Sequence, residues 1–187
     1  MDKYIYYVEG DNEKKVVDTL KERGNEYIVS GKSNIFNIIQ EKIKKSQLMT
    51  LNKSTVAIVI FDNDVLEDRT QNQDVIRKRL IENISLLREN CKQVVVICQY
   101  DNIEDEIIRS TNIRKIKELL NSKSDSDWKT DVLNEKKLMK KLLDKEFDFS
   151  KFWQGEIPVF INKVETSKKI KLKQWKLLLF SITEWIS

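Results

Sequence analysis

The chain has 187 residues and a mass of 22.2 kDa, with 40% hydrophobic and 34% charged residues, which suits one soluble α/β-sized domain with its own core. Its formal net charge of +4 is mild, permitting contact with phosphates without demanding it. It contains no histidine, which excludes Ser-His-Asp and Cys-His catalysis, His-ligated zinc and histidine general bases. Cys91 and Cys98 form no C-x-x-C pair, and Cys98 falls in an apolar run, so neither a disulfide framework nor a zinc site is expected.

In chain order, YIYYV (4–8) reads as a β-strand, and residues 12–23 as an amphipathic helix with Val16, Val17 and Leu20 on one face, closed by Gly24. Tyr27–Ser30 is predicted as a second strand, running into Gly31. Ser33 or Asn34 then caps a predicted helix whose stripe is Ile35, Phe36, Ile38, Ile39 and Ile43. Val56–Phe61 is the strongest strand, a continuous apolar run of the kind buried on both faces of a parallel sheet. A helix over 73–89 follows, with Ile76, Leu80, Ile84 and Leu87 at helical spacing, and Val94–Cys98 is the fourth strand. Strand alternating with helix is the pattern of a parallel α/β sheet.

Beyond residue 102 the pattern turns helical. Ile103–Leu120 reads as a helix breaking near Ser110–Thr111, and SKSDSD (122–127) as a turn or cap. Val132–Leu143 is a further helix, Phe147–Trp153 a compact aromatic turn, and Lys168–Trp185 an amphipathic helix. The N-terminus enters a strand at once, without the basic and apolar regions of a signal peptide, and LLLF (177–180) is too short for a bilayer. A cytoplasmic protein with no membrane contact is expected.

The acids carry the chemical information. Glu9 ends the first strand, Asp62 and Asp64 follow the third, and Asp101, Glu104, Asp105 and Glu106 follow the fourth. In an open parallel sheet these ends share one edge, where ligands bind. Hard divalent cations take oxygen ligands, so converging carboxylates there suit Mg²⁺. Each cluster also has a plain reading: Asp and Asn form turns, and acids favour a helix's first turn. It is their conjunction after three strands that points to a site.

YVEGDNEKKVVDTL, SGKSN and VIFDND together resemble the Toprim domain of topoisomerases, primases, small maturation ribonucleases and OLD-type nucleases, over roughly residues 4–106. QYDNIEDEI resembles the acidic segment of the nuclease-type members, notably OLD-like and phage-defence relatives. The resemblance implies a central parallel sheet of about four strands over 1–106, flanked by helices, with 107–187 a helical extension packed on it in one compact domain. It implies a Mg²⁺- or Mn²⁺-dependent nuclease hydrolysing RNA or DNA, in phage defence or RNA processing. Glu9 matches the catalytic acid or base and a metal-site position. Asp62 and Asp64 match the metal ligands, Glu13 an acidic position in the first helix, and Glu104, then Glu106, an added ligand. Lys168 and Lys169 are candidates for the lysine that stabilises the transition state. The loop VLEDRT departs from the family pattern through Glu67 and Asp68, and no tyrosine is placed as a topoisomerase nucleophile.

Nucleic-acid contacts are expected from Lys32 and Arg69 near the site, and from Lys171 and Lys173 in the lysine-rich C-terminal stretch. The apolar C-terminal helix, bearing Trp175 and Trp185, is a candidate contact for a homodimer or partner protein. Two other readings stand beside the nuclease: a non-catalytic or partner-controlled binding module, and a receiver-like phosphoryl-transfer domain. The order of glutamate first and D-x-D later fits the receiver reading less well.

Overall fold

The computed structural model describes residues 2–22, 27–67, 72–158, 160 and 161. The predicted helix 168–185 lies outside them, as do Gly24, Arg69, Lys168, Lys169, Lys171, Lys173, Trp175 and Trp185.

Four parallel strands form one sheet: β1 (Lys3–Val8), β2 (Lys32–Ile35), β3 (Thr55–Phe61) and β4 (Gln93–Cys98), in the order β2-β1-β3-β4. The helices are α1 (Asp11–Leu20), α2 (Lys45–Leu48), α3 (Asp64–Glu67), α4 (Gln73–Asn90), α5 (Ile103–Ser110), α6 (Asp125–Asn134) and α7 (Leu138–Asp144). Short 3₁₀ turns lie at Ile116–Leu119 and Phe149–Lys151. The expected α/β class with a helix-flanked parallel sheet is what the chain forms. Among the described residues no helix is long and apolar enough to cross a membrane.

Every residue of β3 is buried, and the period-2 alternation of a strand sends its side chains to two separate cores. Ile58 and Ile60 join Tyr6, Val8, Val95 and Ile97 under α1, α5, α6 and α7. Ala57, Val59 and Phe61 join Ile5, Tyr7, Val94 and Val96 under α4 and the segment 36–43. That two-sided cover is why the sequence reads as an unbroken apolar run. Residues from Ile113 to Trp153 share the first of these cores with the strands, so this part of the extension is packed on the sheet.

Two elements differ from expectation. The second strand is Lys32–Ile35, not Tyr27–Ser30. Tyr27 is drawn instead into the aromatic turn, its ring 5.8 Å from that of Phe147 and 5.4 Å from that of Phe149, while the Val29 carbonyl accepts the Tyr6 hydroxyl at 2.6 Å. Gly31 then passes so close to β1 that a Cβ there would lie 2.6 Å from the Tyr4 carbonyl oxygen, and the polar run behind it pairs with Ile5–Val8.

The helix expected after Ser33 or Asn34 does not form. The Asn37 side chain accepts the N–H groups of Ile39 and Gln40, a local turn that competes with helix. Buried Asn83 of α4 then donates to the carbonyls of Ile38 and Glu41, each at 2.7 Å, and accepts the Ile43 N–H at 3.0 Å. One side chain therefore satisfies backbone groups that a helix would have paired internally.

Downstream, α5 ends at Ser110, where the break was read. The stretch read as one helix from Val132 to Leu143 is two, α6 and α7, and Ser124 of SKSDSD caps α6 by accepting the Asp127 N–H. Phe147, Phe149, Phe152 and Trp153 form the compact aromatic turn, with ring centroids 4.9–6.2 Å apart.

Candidate functional site

The chain leaves β1 for β2 on one side, then returns to β3 and β4 on the other. A parallel sheet wound in both directions opens a crevice at the carboxyl ends of the two strands where the direction changes, here β1 and β3. Glu9 follows β1 directly and Asp62 follows β3, so these two acids flank that switch point. Asn63 and Asp64 are tied toward β4 through N–H bonds to the Asp101 carbonyl at 3.0 and 3.4 Å.

A cavity of about 1130 Å³ opens there. Glu13, Asp62, Asp64, Glu104 and Asp105 supply acids to its lining, and Arg114, Lys115 and Lys129 supply cations. The first turns of α1, α5 and α6 also reach it, through Asp11, Glu104 and Asp125, so three helix N-termini face one space. Their partial positive charge offsets some of the acids' repulsion and suits an anionic ligand.

Burial leads in raising these acids, and their neighbours' charges add to it. Burial pushes the Glu9 carboxyl up to about 8, against the pull of the Asp62 backbone amide and with help from Glu13 and Asp64. Asp62 likewise rises to about 8, through burial and then the charges of Glu9, Glu13 and Asp64. Glu13 is raised by burial, with Glu104 adding to it and Lys129 opposing; Asp64 is raised by burial and by Asp101, Glu104 and Asp105. Carboxylates that shift together in this way sense a common field, and strongly shifted groups in a cleft mark functional sites.

The local supports are specific. Asn37 donates to Glu9 Oε2 at 3.3 Å, whereas Glu9 Oε1 is buried without a hydrogen-bond partner. Gln99, the residue after β4, is fully buried and donates its side-chain amide to Asp62 Oδ1. Glu13 folds back over Gly10, where a Cβ would lie 2.8 Å from its Oε2. Glu104 is paired with Lys129 at 3.3 Å.

No protein-family model, no curated protein and no solved structure matches this chain. The case for the site therefore rests on its own residues.

Of the residues singled out in the sequence, Glu9, Glu13, Asp62, Asp64 and Glu104 come together. Glu106 does not: it is fully buried, its two oxygens accepting the N–H groups of Tyr100 at 2.7 Å and Trp153 at 2.8 Å. Its carboxylate is engaged by backbone and makes it a fastening of the fold. Lys32 is also elsewhere, beside Lys14 and Gln47 in a smaller cavity at the β2 edge. The side chain of Glu67, and Asp68, lie outside the described residues.

Several site residues gave no motif. Gln99 carried a signal nonetheless, as a polar residue closing a run of buried apolar ones. Asn37, Arg114, Lys115 and Lys129 carried none, because only the fold returns them to the strand ends.

The donor set suits a hard divalent cation: all carboxylate oxygen, one of them buried and unpartnered. Among the described residues no three acids are gathered into a ready-made cage. Mg²⁺ asks for less, taking one or two carboxylates and completing its shell with water and substrate phosphate. Asp62 and Asp64 would hold it, with Glu9 and Glu104 at its margins.

Proposed function

We propose that this crevice is the centre of a Mg²⁺- or Mn²⁺-dependent phosphodiesterase of Toprim type, hydrolysing RNA or DNA, with an anti-phage role in keeping with the family resemblance. The observation that carries the reading is the placing of Asp62 and Asp64 in the cavity lining after β3, with Glu9 after β1 at the same switch point, carboxyl groups raised by burial, and cations in the same lining. A divalent cation held by Asp62 and Asp64 would supply Lewis-acid polarisation of the phosphodiester and charge stabilisation for the leaving oxygen. Glu9, held protonated up to about pH 8, is placed to exchange a proton near neutrality, where a general acid or base works best. Asn37 orients Glu9, and Gln99 orients Asp62.

Purified protein incubated with mixed RNA and DNA in 5–10 mM Mg²⁺ or Mn²⁺ (about the concentrations that fill weak sites) is expected to cleave, and EDTA to stop it. Glu9→Gln and Asp62→Asn are each expected to lower kcat/KM about 10²–10⁴-fold. Cleavage at the original rate in both variants would overturn the assignment.

One observation favours a second reading, a partner-controlled or non-catalytic binding module. Lys129 already occupies Glu104, neutralising part of the site as a cation would. Under that reading neither ion raises the melting temperature of the isolated chain, and Lys129→Ala opens the site to them.

A further inference from the structure

The helical extension builds a wall that is part of the crevice lining. On α6, beside the acid Asp125 at the start of the helix, Ser126, Lys129, Thr130 and Leu133 line the cavity. Their spacing of three, four and seven residues puts them on one side of the helix. The opposite side, with Trp128 and Val132, is sunk in the core. The lining face is thus fixed in orientation by burial of its back. Arg114 and Lys115, from the loop after α5, extend the same wall, and Ile108 adds an apolar patch. Leu133 is 44% exposed and the Lys129 side chain 62% exposed, so both meet solvent at the cavity.

We propose that this wall is a binding subsite for single-stranded nucleic acid, in which Arg114, Lys115 and Lys129 take phosphates flanking the one to be cleaved and Leu133 and Ile108 take an unpaired base. The inference rests on the phosphodiesterase reading for the position of the cleaved bond, but the wall's own chemistry selects the ligand. Phosphate needs cations, and the acidic floor supplies none. Arg114 and Lys115 line the same cavity as the acids, and Lys129 reaches Glu104 at 3.3 Å, so a strand held by these cations can turn one phosphate to the floor. Exposed Leu133 and partly buried Ile108 in the same lining as those cations match a ligand that offers both anionic and apolar surfaces. An unpaired strand offers both, since its base faces are free to pack on side chains. A duplex buries its base faces in its own stack and presents phosphate and sugar, leaving Leu133 and Ile108 with nothing to cover.

The test uses the full chain carrying Asp62→Asn, which prevents cleavage, and a fluorescein-labelled 12-nucleotide strand read by anisotropy against a hairpin duplex of equal length. The strand is expected to bind at least ten-fold more tightly than the hairpin. Adding Arg114→Ala, Lys115→Ala and Lys129→Ala together is expected to weaken strand binding ten-fold or more, and to lower the slope of log K against log salt by about 2. Leu133→Ser is expected to weaken the strand about three- to ten-fold and leave the hairpin unchanged. Equal binding of strand and hairpin, or an unchanged affinity in the triple variant, would overturn the subsite. Hydrolysis of bis-p-nitrophenyl phosphate, which is too small to need the wall, separates this from the reading beneath it. In the unsubstituted protein it tests the catalytic floor alone. In a chain carrying only Arg114→Ala and Lys115→Ala it is expected to persist while oligonucleotide cleavage falls.

Discussion

In EDTA at pH 8, Asp62→Asn is expected to melt about 3–6 °C above the unsubstituted protein while losing its cleavage activity, a shift worth about 1–2 kcal/mol in a chain of this size. Glu9 and Asp62 both have folded values near 8, raised first by burial, then in Glu9 by Glu13 and Asp64 and in Asp62 by Glu9, Glu13 and Asp64. A carboxyl raised in the folded state contributes stability that is fully present below its unfolded value, about 4, and lost as pH rises through the folded value. Between pH 5 and pH 9 the metal-free protein should therefore soften steadily, and the variant, which cannot ionise at position 62, should soften less. The two curves should converge near pH 4. Asp18 acts in the opposite sense: its burial is outweighed by bonds from Lys14, Lys21 and Ser33, its value is lowered, and its contribution is lost only as pH falls below the usual carboxylate range. Millimolar Mg²⁺ should reverse the order at pH 8, because a ligand that binds only the folded state raises its stability by mass action. Scanning calorimetry at four pH values, with and without Mg²⁺, reads all of this. A variant that melts below the unsubstituted protein in EDTA at pH 8 would show that Asp62 supports the fold and is not held under repulsion for function.

How much of this could be read from the chain depends on where each signal is encoded. β1, β3 and β4 were visible because strands covered on both faces must be apolar throughout, and no neighbour is needed to see that. β2 was misplaced because it is an edge strand of polar residues, Lys32-Ser33-Asn34-Ile35, whose pairing depends on Gly31 passing close to β1. The lost helix after it turns on Asn83, more than forty residues downstream, which no local pattern reports. The strand-end acids can be placed on one edge from the sequence because a parallel sheet brings those ends together by construction. Glu106 is engaged by backbone, and the sequence does carry a signal for its burial. Ile103, Glu106, Ile107 and Ser110 are all buried, and their spacing marks the inner face of α5, whereas Glu104 lies on the cavity side. A run of charge such as the C-terminal lysines is conspicuous in sequence, whereas the cations of the cavity lining are scattered. Arg114 and Lys129 are fifteen residues apart, and only packing of α6 against α1 and the sheet makes them one surface.

Glu106→Ala is expected to cost about 3–5 kcal/mol, the largest loss from any single acid described, and to leave Mg²⁺ binding largely intact. Its carboxylate fastens the chain after β4 to the aromatic turn, accepting from Tyr100 with one oxygen and from Trp153 with the other. Trp153 has φ of 56°, a left-handed conformation unfavourable for a bulky residue, so its amide is held where the chain would not place it unaided. Two residues on, Gly155 approaches so closely that a Cβ would stand 2.3 Å from the Cys98 carbonyl oxygen, which seats this segment on the end of β4. Removing the carboxylate orphans the buried Trp153 N–H and the part-buried Tyr100 N–H and releases the strain at Trp153. Glu106→Gln keeps one acceptor but turns an NH₂ group toward the other N–H, so it should recover only part of the loss. Urea unfolding gives the magnitude, and the Mg²⁺-induced rise in melting temperature separates the two roles a buried acid beside this crevice could have. A metal ligand replaced by glutamine loses that rise and keeps its metal-free stability. A fastening loses the stability and keeps the rise, and the two backbone bonds to Glu106 argue for the second outcome.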